Sequence, residues 1–327
     1  MDIQTPPEGP DGTAQSMVAQ NVAAQGVVAQ GVVAQGVVAQ GVVAQGVVAE
    51  LPRRRPALSP SRASDFRRCP LLYRFRAIDR LPETPTRAQV RGTLVHAVLE
   101  KLFALPAPER VPEAARALLG PVWDELVTSW PEVVTALFTG PQDPALAVWL
   151  DSAAALLDTY FTLEDPRRIT PDAVEELVEV ELTPELPLRG YLDRLDVAPD
   201  GRIRVVDYKT GSSPHEYGEL GAMFQLKFYA LAVLLERGVV PAELRLLYLA
   251  NGESLTYSPD ADELHRFSTL LQAIWAAVRR AAPDGDFRPN PGPACRTCDH
   301  KALCPAWDGT PPPYPGWPGD GQGMIGP

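Results

Sequence analysis

Lysine is rare in this chain, and the sequence has no long apolar run. Lysine supplies four of the 30 basic residues, at Lys101, Lys209, Lys227 and Lys301. A lysine that stands where arginine is the usual choice is therefore a candidate for chemistry that needs an amine. No stretch of about 18 apolar residues is free of a polar or helix-breaking residue, so we expect no membrane-spanning helix.

Signals for export and for nucleotide binding are also missing. The first residues, MDIQTPPEGPDG, have no basic segment followed by an apolar core, so we expect no secretory signal and a cytoplasmic location. In that reducing compartment the four cysteines are more often metal ligands or buried thiols than disulfide partners. The GxxxxGK[ST] motif does not occur, so the chain is not itself a helicase and any ATP-driven unwinding would come from a partner.

The negative charge of the chain is unevenly distributed. The formal net charge is −11, which argues against a nucleic-acid partner when the chain is taken as a whole. Residues 51–80, however, hold nine arginines and two aspartates, a local net charge of +7. Such a segment can hold phosphates, although a solvated helix face after an Arg-rich linker is an equal alternative. If it guides a DNA strand, its candidates are Arg67, Arg68, Arg74 and Arg76.

Composition divides the chain into three parts. Residues 26–45 are four perfect GVVAQ units, whose regular glycines oppose a helix and whose period of five fits neither a helix nor a strand. We therefore expect residues 1–56 to be a disordered repeat tail and an Arg/Pro linker. A folded domain is expected over residues 57–308, followed by a disordered Pro/Gly-rich tail over residues 309–327.

Hydrophobic periodicity predicts helices first, then three strands, a helix, two strands and a helix. Helix-start signals stand at Ser59 and Ser61. This order predicts an α/β or α+β domain with a mixed sheet and a helical N-terminal layer. The expected helices are 59–77, 86–103, 110–135, 144–163, 217–237 and 261–281, and the expected strands are 174–182, 187–197, 202–209, 243–250 and 253–258.

The segment VVDYKTG carries the strongest local signal for chemistry. Asp207 and Lys209 are two residues apart at a strand end, so their side chains share one face of the sheet. A turn at Asp200-Gly201 brings Asp193 of the preceding strand close to Asp207. Two carboxylates and an amine at one sheet end can hold Mg²⁺ or Mn²⁺ and position a water molecule. The alternative is a surface Asp–Lys pair worth under about 1 kcal/mol.

Two helices add further polar candidates. On the first, Gly92 and His96 are four residues apart and share one helix face. On the helix after the lysine strand, Gln225 and Tyr229 have the same spacing. A single histidine more often packs in a core than binds a metal, and a Gln/Tyr pair alone is an ordinary helix surface.

Together these motifs, in the order Gly-x3-His, Gly-x2-Asp, Asp-x-Lys and Gln-x3-Tyr, resemble the PD-(D/E)XK nuclease superfamily. Within it the pattern is similar to the branch that contains the nuclease domains of RecB and AddB and the CRISPR-associated exonucleases. The resemblance covers residues 57–307 and implies a restriction-endonuclease-like fold, a mixed sheet flanked by helices and closed by a C-terminal cysteine loop. Asp207 stands where other members have Glu, a change that the superfamily accepts.

The resemblance also implies a role for each motif residue. Lys209 would orient or deprotonate the attacking water and stabilise charge at the phosphate. Gln225 and Tyr229 would support the site or contact the DNA backbone. The implied ligands of Mg²⁺ or Mn²⁺ are His96, Asp193, Asp207 and the backbone carbonyl of Tyr208.

The four cysteines are one upstream residue, Cys69, and a C-terminal group, Cys295, Cys298 and Cys304. Their spacing is similar to the iron–sulfur staple of AddB and the CRISPR-associated exonucleases, which implies a [4Fe–4S] cluster, for which thiolates are the usual ligands. Zinc is the alternative, bound by all four cysteines or by three of them with His300. Four unrelated buried thiols would need neither.

The resemblance therefore implies a Mg²⁺- or Mn²⁺-dependent deoxyribonuclease. Its substrate would be single-stranded DNA or DNA ends, in repair or recombination, with a helicase subunit as a candidate partner. The alternative is a catalytically silent iron–sulfur module that binds DNA within a larger helicase–nuclease complex. The complete set of His96, Asp193, Asp207 and Lys209 argues against that alternative, because binding without cleavage does not require all four.

Overall fold

The computed structural model describes residues 55–213 and 216–318. In this part of the chain, helices precede and flank one five-stranded sheet. The helices are α1 (Pro60–Arg68), α2 (Pro70–Tyr73), α3 (Arg87–Ala104), α4 (Pro112–Ser129), α5 (Glu132–Leu137), α6 (Pro144–Leu163), α7 (Glu216–Arg237) and α8 (Ala261–Ala281). The strands are β1 (Pro171–Thr183), β2 (Leu186–Val197), β3 (Ile203–Lys209), β4 (Glu243–Tyr248) and β5 (Glu253–Tyr257).

The sheet is mixed, and its strands lie in chain order, β1-β2-β3-β4-β5. Strands β1, β2 and β3 form an antiparallel meander, β3 and β4 are parallel, and β4 and β5 are antiparallel. Helix α7 makes the crossover that a parallel pair requires. The predicted fold class, an α/β domain with a mixed sheet flanked by helices, is therefore confirmed.

Two hydrophobic cores lie on the two faces of the sheet. Because successive strand residues point to opposite faces, Val205 belongs to the core beneath α7 and α8, whereas Val206 and Tyr208 belong to the core formed with α3, α4 and α6. The same alternation puts Asp207 and Lys209 on the α7 face of β3. The two cores therefore fix the direction of every polar side chain at the end of this strand.

The first predicted helix is interrupted. The Ser59 hydroxyl accepts a 3.2 Å hydrogen bond from the Arg62 backbone N–H and begins α1 as predicted. The helix ends at Cys69, which is extended (φ −161°, ψ 111°), because the proline at position 70 disfavours helical backbone in the residue before it. The chain continues as α2 and a π-helical turn over Arg74–Ile78, so a single helix over 59–77 was wrong.

The C-terminal segment also differs from the expectation. Trp317 is 6% exposed and packs edge-on against Trp275 of α8, at 5.9 Å between ring centroids. The Tyr314 hydroxyl donates a 2.7 Å hydrogen bond to the backbone carbonyl of Ala282. The predicted disorder is therefore wrong for residues 309–318, because two aromatic side chains anchor a segment whose prolines and glycines prevent regular structure. Residues 319–327 lie outside the described part of the chain.

The predicted tail falls almost entirely outside the described residues, which begin at Arg55. The domain boundary at residue 57 is compatible with what is described, since Ala57 and Leu58 are buried and the backbone N–H of Leu58 donates a 2.9 Å hydrogen bond to the carbonyl of Pro187.

Helix α6 is long and apolar enough, by length and composition alone, to cross a membrane. It carries Asp151 and Asp158, and the exposed Asp158 pairs with Arg116 of α4. One side of the helix, including Trp149, Leu157 and Tyr160, is buried in the core on the α3 face of the sheet. A core helix passes the same test of length and hydropathy, so this helix is weak support for a membrane segment.

Candidate active site

The site begins where strands β2 and β3 separate. Their ladder runs from the pair Val197–Ile203 to the pair Arg194–Val206. At the next position a side chain takes the place of the backbone acceptor. Oδ2 of Asp193 accepts a 2.7 Å hydrogen bond from the backbone N–H of Tyr208. This exchange brings the carboxylates of Asp193 and Asp207 to the same end of the sheet, as the turn at Asp200-Gly201 predicted.

Helix α3 brings His96 to this end of the sheet. Its Nε2 lies 3.0 Å from the backbone carbonyl oxygen of Tyr208, and its Nδ1 lies 3.2 Å from Oε1 of Glu175 and 3.6 Å from Oδ2 of Asp193. One turn earlier, a Cβ at Gly92 would lie 3.3 Å from the Thr210 hydroxyl. Glycine at this position therefore permits the close approach of helix and strand that carries His96 into the site.

Strand β3 presents a buried carboxylate and an amine side by side. Asp207 is 2% exposed, and its Oδ2 lies 2.6 Å from Nζ of Lys209. Within the described residues, neither Asp207 oxygen accepts a hydrogen bond of good geometry. Nζ of Lys209 also donates a 2.8 Å hydrogen bond to Oε1 of Gln225. The ammonium is thus held between β3 and α7, while the Asp207 carboxylate keeps coordination capacity.

Helix α7 places Tyr229 one turn beyond Gln225, against strand β2. A Cβ built at Gly190 would lie 2.9 Å from Cε1 and 3.1 Å from the hydroxyl of Tyr229. Glycine is therefore required here for the tyrosine ring to reach the strand. The structure brings together all the residues that the motifs singled out: His96, Asp193, Asp207, Tyr208, Lys209, Gln225 and Tyr229.

The electrostatics of the site favour bound protons. Burial alone lowers the pKa of His96, but the carboxylates of Asp193 and Glu175 outweigh it and raise that pKa to about 9. Burial and the neighbouring carboxylates of Asp207 and Glu175 raise the pKa of Asp193 despite His96. The pKa of Lys209 is also raised, because Asp207 and Asp193 outweigh the effect of its burial. The site thus carries an excess of negative charge that a cation would neutralise.

The donor set fits a hard divalent cation. His96, Glu175 and Asp193 offer ligand atoms that all lie within 4.8 Å of one another. Asp207, whose oxygens are buried without a hydrogen bond, and the carbonyl of Tyr208 lie beside them. Carboxylate and carbonyl oxygens suit Mg²⁺ and Mn²⁺, and an imidazole is tolerated more readily by Mn²⁺.

Glu175 is a site residue that the motifs did not identify. It lies in β1, whose sequence PDAVEELVEVELT contains five acidic residues, and no spacing distinguishes it from the others. Its backbone φ is +48°, in the left-handed region that non-glycine residues rarely adopt. Only the three-dimensional structure provides that signal.

A buried ion-pair network under the site was also missed. The Arg194 guanidinium is fully buried and pairs with the carboxylates of Glu164 and Asp196, and its Nη1 donates a 2.6 Å hydrogen bond to the Tyr208 hydroxyl. Tyr160 donates a 2.8 Å hydrogen bond to Glu164. The network thus anchors the side chain of Tyr208, whose backbone N–H and carbonyl face the site.

Two of the arginines proposed to guide DNA have other partners. Arg74 is 7% exposed and pairs with Asp79 at 3.0 Å. Arg76 pairs with Asp65 and with Glu83, each at 2.7 Å. Both side chains therefore have acidic partners within the N-terminal part of the domain, which argues against the guiding role for these two. Arg67 and Arg68 are exposed.

The four cysteines line one cavity on the C-terminal side of the domain. The cavity has a volume of about 70 Å³, several times the roughly 15 Å³ that one water molecule needs by the same kind of measure. Burial, and then the proximity of the other three cysteines, raises the pKa of the Cys298 thiol. His300 lines the same cavity, and its Nε2 lies 2.9 Å from Oε1 of Glu83. The residues that line this cavity and carry sulfur are Cys69, Cys295, Cys298 and Cys304.

Backbone groups fix the cysteine loops. The backbone N–H groups of Asn290 and Gly292 donate 3.4 Å hydrogen bonds to the sulfur atoms of Cys69 and Cys295. A Cβ at Gly309 would clash with the carbonyl oxygen of Ala302 and would lie 2.6 Å from the backbone nitrogen of Cys304. Hydrogen bonds of this kind support thiolate ligands, whether of an iron–sulfur cluster or of a zinc ion.

The sequence profile of the PD-(D/E)XK nuclease superfamily matches residues 57–305. A second profile, the GLTT repeat, matches six copies over residues 22–48. The chain is similar to the gene 69 protein of Mycobacterium phage D29, at 26% identity over 270 residues that cover 77% of this chain and 97% of the relative. The gene 69 protein of Mycobacterium phage L5 is 25% identical over the same shares of the two chains.

A solved structure shares the fold. It is the crystal structure of a protein named as an exonuclease, from Eubacterium rectale, with a TM-score of 0.52 and 14% sequence identity. The superposition covers 75% of this chain and 87% of that one. At this identity the likeness concerns the fold alone.

Proposed function

Because the chain belongs to the PD-(D/E)XK nuclease superfamily, we propose that it is a metal-dependent deoxyribonuclease of the RecB-like branch. Its proposed reaction is hydrolysis of phosphodiester bonds in single-stranded DNA or at DNA ends. One observation carries the proposal: the buried carboxylate of Asp207, which accepts no hydrogen bond of good geometry from the described residues, lies against Lys209 in a cluster that also contains His96 and Asp193.

His96, Asp193, Asp207 and the carbonyl of Tyr208 would hold the metal, as Mg²⁺ or Mn²⁺. When bound, such an ion supplies charge neutralisation at the phosphate and lowers the pKa of water in the site. The proposed ligands are rigidly held, because Asp193 accepts the Tyr208 N–H and His96 is fixed between Tyr208 and Glu175. Catalysis by positioning and charge stabilisation needs this rigidity.

Lys209 is the proposed partner of the attacking water and of the phosphate. The neighbouring carboxylates favour its ammonium form by raising its pKa, so it acts as a hydrogen-bond donor. Its side chain is 27% exposed, so the residue is only partly buried. We propose that it orients the water and stabilises charge on the phosphate oxygens. Its hydrogen bond to Gln225 holds Nζ beside the carboxylate of Asp207.

Gln225 and Tyr229 are proposed to support the site. Gln225 accepts from Lys209 and therefore limits the positions that Nζ can take. The ring of Tyr229 lies against Gly190 of β2, three residues before Asp193. A contact of either side chain with the DNA backbone is a further part of the proposal.

Arg67 joins α1 to α7, the helix that carries Gln225 and Tyr229. Its guanidinium lies 4.9 Å from the ring centroid of Phe224, the residue next to Gln225 in α7. Arg67 and its neighbour Arg68 are both exposed. We propose that they contact phosphates, so that replacing both with glutamine lowers DNA affinity and the slope of its salt dependence.

The cysteine cavity is proposed to hold a structural [4Fe–4S] cluster. A cluster there would join Cys69 at the end of α1 to the C-terminal loop and close almost the whole domain. Protein purified without oxygen should then be brown, with broad visible absorbance and about four iron atoms per chain. Colourless protein with one zinc ion per chain would establish the zinc alternative instead.

The remaining expectations from the sequence and from the resemblance stay predictions. They are a domain over residues 57–308, a repeat tail without a catalytic role, a cytoplasmic location, a function in repair or recombination, and a helicase partner. Deletion of residues 1–50 should leave folding and cleavage intact. Loss of folding on this deletion would show that the tail contributes to the domain.

The direct test is cleavage of end-labelled single-stranded and double-stranded DNA by protein purified without oxygen. We expect cleavage with Mg²⁺ or Mn²⁺ and none with a chelator. Asp207→Asn should abolish it, while Asp200→Asn, at an exposed turn acid that pairs with Arg202, should not. The ladder of products distinguishes stepwise removal from an end and internal cleavage.

Two outcomes would contradict the proposal. Cleavage that survives Asp207→Asn would place the activity elsewhere or in a contaminant. A folded, cluster-loaded protein that binds DNA but does not cut it with either metal would favour the silent DNA-binding module.

A further inference from the structure

Glu175 stands opposite Asp193 on adjacent antiparallel strands. The pairs Val174–Arg194 and Glu176–Leu192 bracket the two residues in the β1–β2 register. Each carboxylate side chain is only 8% exposed. Like charges directly opposite each other in a sheet are destabilising, and burial increases the penalty. A pair of this kind needs a cation or a shared proton donor to persist.

The backbone of Glu175 is unusual for the middle of a strand. Its φ of +48° is left-handed, although the residue is neither glycine nor at a turn. Non-glycine residues in such conformations persist only where the surrounding structure requires them, and they concentrate at functional sites. The twisted backbone directs this side chain towards α3, where it meets His96.

The contacts of His96 define what Glu175 does. Oε1 of Glu175 lies 3.2 Å from Nδ1 of the imidazole, and Nε2 lies 3.0 Å from the carbonyl oxygen of Tyr208. A carboxylate only accepts hydrogen bonds, so Nδ1 must carry the proton that it donates. The carbonyl oxygen of Tyr208 also only accepts, so without a metal ion Nε2 carries a proton as well. A bound ion would replace that proton, and the lone pair of Nε2 would then face the proposed metal position. Metal-bound histidines commonly have such a carboxylate partner on their other nitrogen.

We propose that Glu175 is a positioning residue for the metal site: it orients His96 and fixes the ring so that Nε2 faces the ion. This inference rests on the proposed function for its purpose, but its structural content is independent of cleavage. The acidic groups that face Glu175 are Asp193 from β2 and Glu100 from the same helix as His96. Both are acceptors when charged, and Asp193 lies farther from Nδ1 (3.6 Å) than Glu175 does (3.2 Å), so Glu175 is the nearer acceptor of the Nδ1 proton.

Two substitutions distinguish positioning from direct metal binding. Glu175→Ala removes the acceptor, and Mn²⁺ affinity, measured by titration and electron paramagnetic resonance, should fall about 10–100-fold. Glu175→Gln keeps an amide oxygen that can accept from Nδ1–H, so it should retain most of the affinity. An equal loss in both variants would overturn the positioning role and make Glu175 a direct ligand.

A spectroscopic measurement reports on His96 itself. Electron spin-echo modulation of bound Mn²⁺ detects the nitrogen of a directly coordinated imidazole. We expect that signal in the original protein and in Glu175→Gln, and its weakening in Glu175→Ala. Glu176→Ala, at the exposed neighbour whose side chain faces away, is the matched control and should change neither signal nor affinity.

The result that overturns the inference is Glu175→Ala with original Mn²⁺ affinity and an unchanged imidazole signal. If Glu175→Ala fails to fold, as judged by its thermal unfolding without metal, Glu175→Gln still decides: a loss of the imidazole signal there contradicts the inference. Failure of the proposed function has a different appearance, because a non-cleaving protein would still show these metal and imidazole signals.

Discussion

Arg194 donates a 2.6 Å hydrogen bond from Nη1 to the hydroxyl of Tyr208. Tyr208 therefore links the buried ion-pair network, through its side chain, to the proposed metal site, through its backbone. The backbone N–H of Tyr208 is held by Asp193, and its carbonyl faces His96. The side chain of Tyr208 is anchored in the ion-pair network of Arg194. The position of the carbonyl that the metal is proposed to use therefore depends on a charge buried on the opposite face of the sheet.

Replacement of Arg194 by methionine should destabilise the domain by about 3 kcal/mol, because the buried carboxylate of Glu164 then keeps only the Tyr160 hydroxyl and that of Asp196 keeps only Arg204. Urea unfolding of the metal-free protein measures this loss. Arg116→Met, which breaks the exposed pair with Asp158, is the matched control and should change stability little. Equal, small effects in both variants would show that the buried network does not hold the sheet.

Replacement of Gly190 by alanine should impair cleavage. The new Cβ would lie 2.9 Å from the Tyr229 ring, so the ring or the strand must shift, and a displacement of about 1 Å at a catalytic site can cost about 10²-fold in rate. Gly120→Ala in α4 is the control, since a Cβ there meets nothing within 4 Å. That control should keep full activity and gain about 0.5–1 kcal/mol in stability. Full activity of Gly190→Ala would remove Tyr229 from the site.

Metal stabilisation of the fold should increase with pH. In the metal-free protein the pKa of His96 is raised from 6.5 to about 9, so its protonation stabilises the fold fully below pH 6.5, and this contribution is lost as the pH rises through 9. The raised pKa of Asp193 acts in the same direction, because its protonated form is favoured in the fold. A metal ion must displace these protons, and its affinity therefore rises with pH.

Thermal unfolding with and without Mg²⁺ between pH 6 and pH 9 measures this linkage. The increase in Tm on adding Mg²⁺ should be larger at pH 9 than at pH 6, and His96→Asn should remove much of the difference. An increase in Tm that is the same at all pH values would contradict the proposed role of His96 as a ligand.

Replacement of Gly309 by alanine should disrupt the cysteine site. A Cβ at this position would clash with the backbone of Ala302 and Cys304, so the loop that carries Cys304 must move. Gly292→Ala is the control from the same loop region, because a Cβ there meets nothing within 4 Å and its φ of −170° suits any residue. Visible absorbance and bound iron should fall in Gly309→Ala only. Unchanged iron content in both variants would show that this loop does not position a ligand.

Most of the fold could be predicted from local signals in the sequence. The strand around Val205 and Val206, the capping serine at position 59 and the Asp200-Gly201 turn all have short-range causes, and the elements they predict are present. The break at Cys69 also has a local cause, the proline at position 70. The packed C-terminal segment has a non-local cause, because Trp317 is buried only where Trp275 is available to receive it.

The site residues also divide into those with a local signal in the sequence and those without one. Asp207 and Lys209 follow from strand periodicity, and the resemblance supplied the order of the other motifs. Glu175 and Arg194 were not predicted, because their roles depend on a cross-strand register and on a buried network that join distant segments. Arg74 and Arg76 were assigned to DNA on charge alone, whereas their partners Asp79 and Glu83 lie in the segment between the π-helical turn and α3.

The most direct measurement compares Lys209→Met with the original protein in two assays, Mn²⁺ binding and single-turnover cleavage of an end-labelled DNA strand. We predict that Lys209→Met keeps most of its Mn²⁺ affinity and cleaves about 10²–10³-fold more slowly, since it removes one donor from the reacting phosphate. Lys227→Met, which breaks a salt bridge with Glu263 outside the site, should cleave at the original rate. Cleavage by Lys209→Met at the original rate would contradict the assignment of this cluster as a nuclease site.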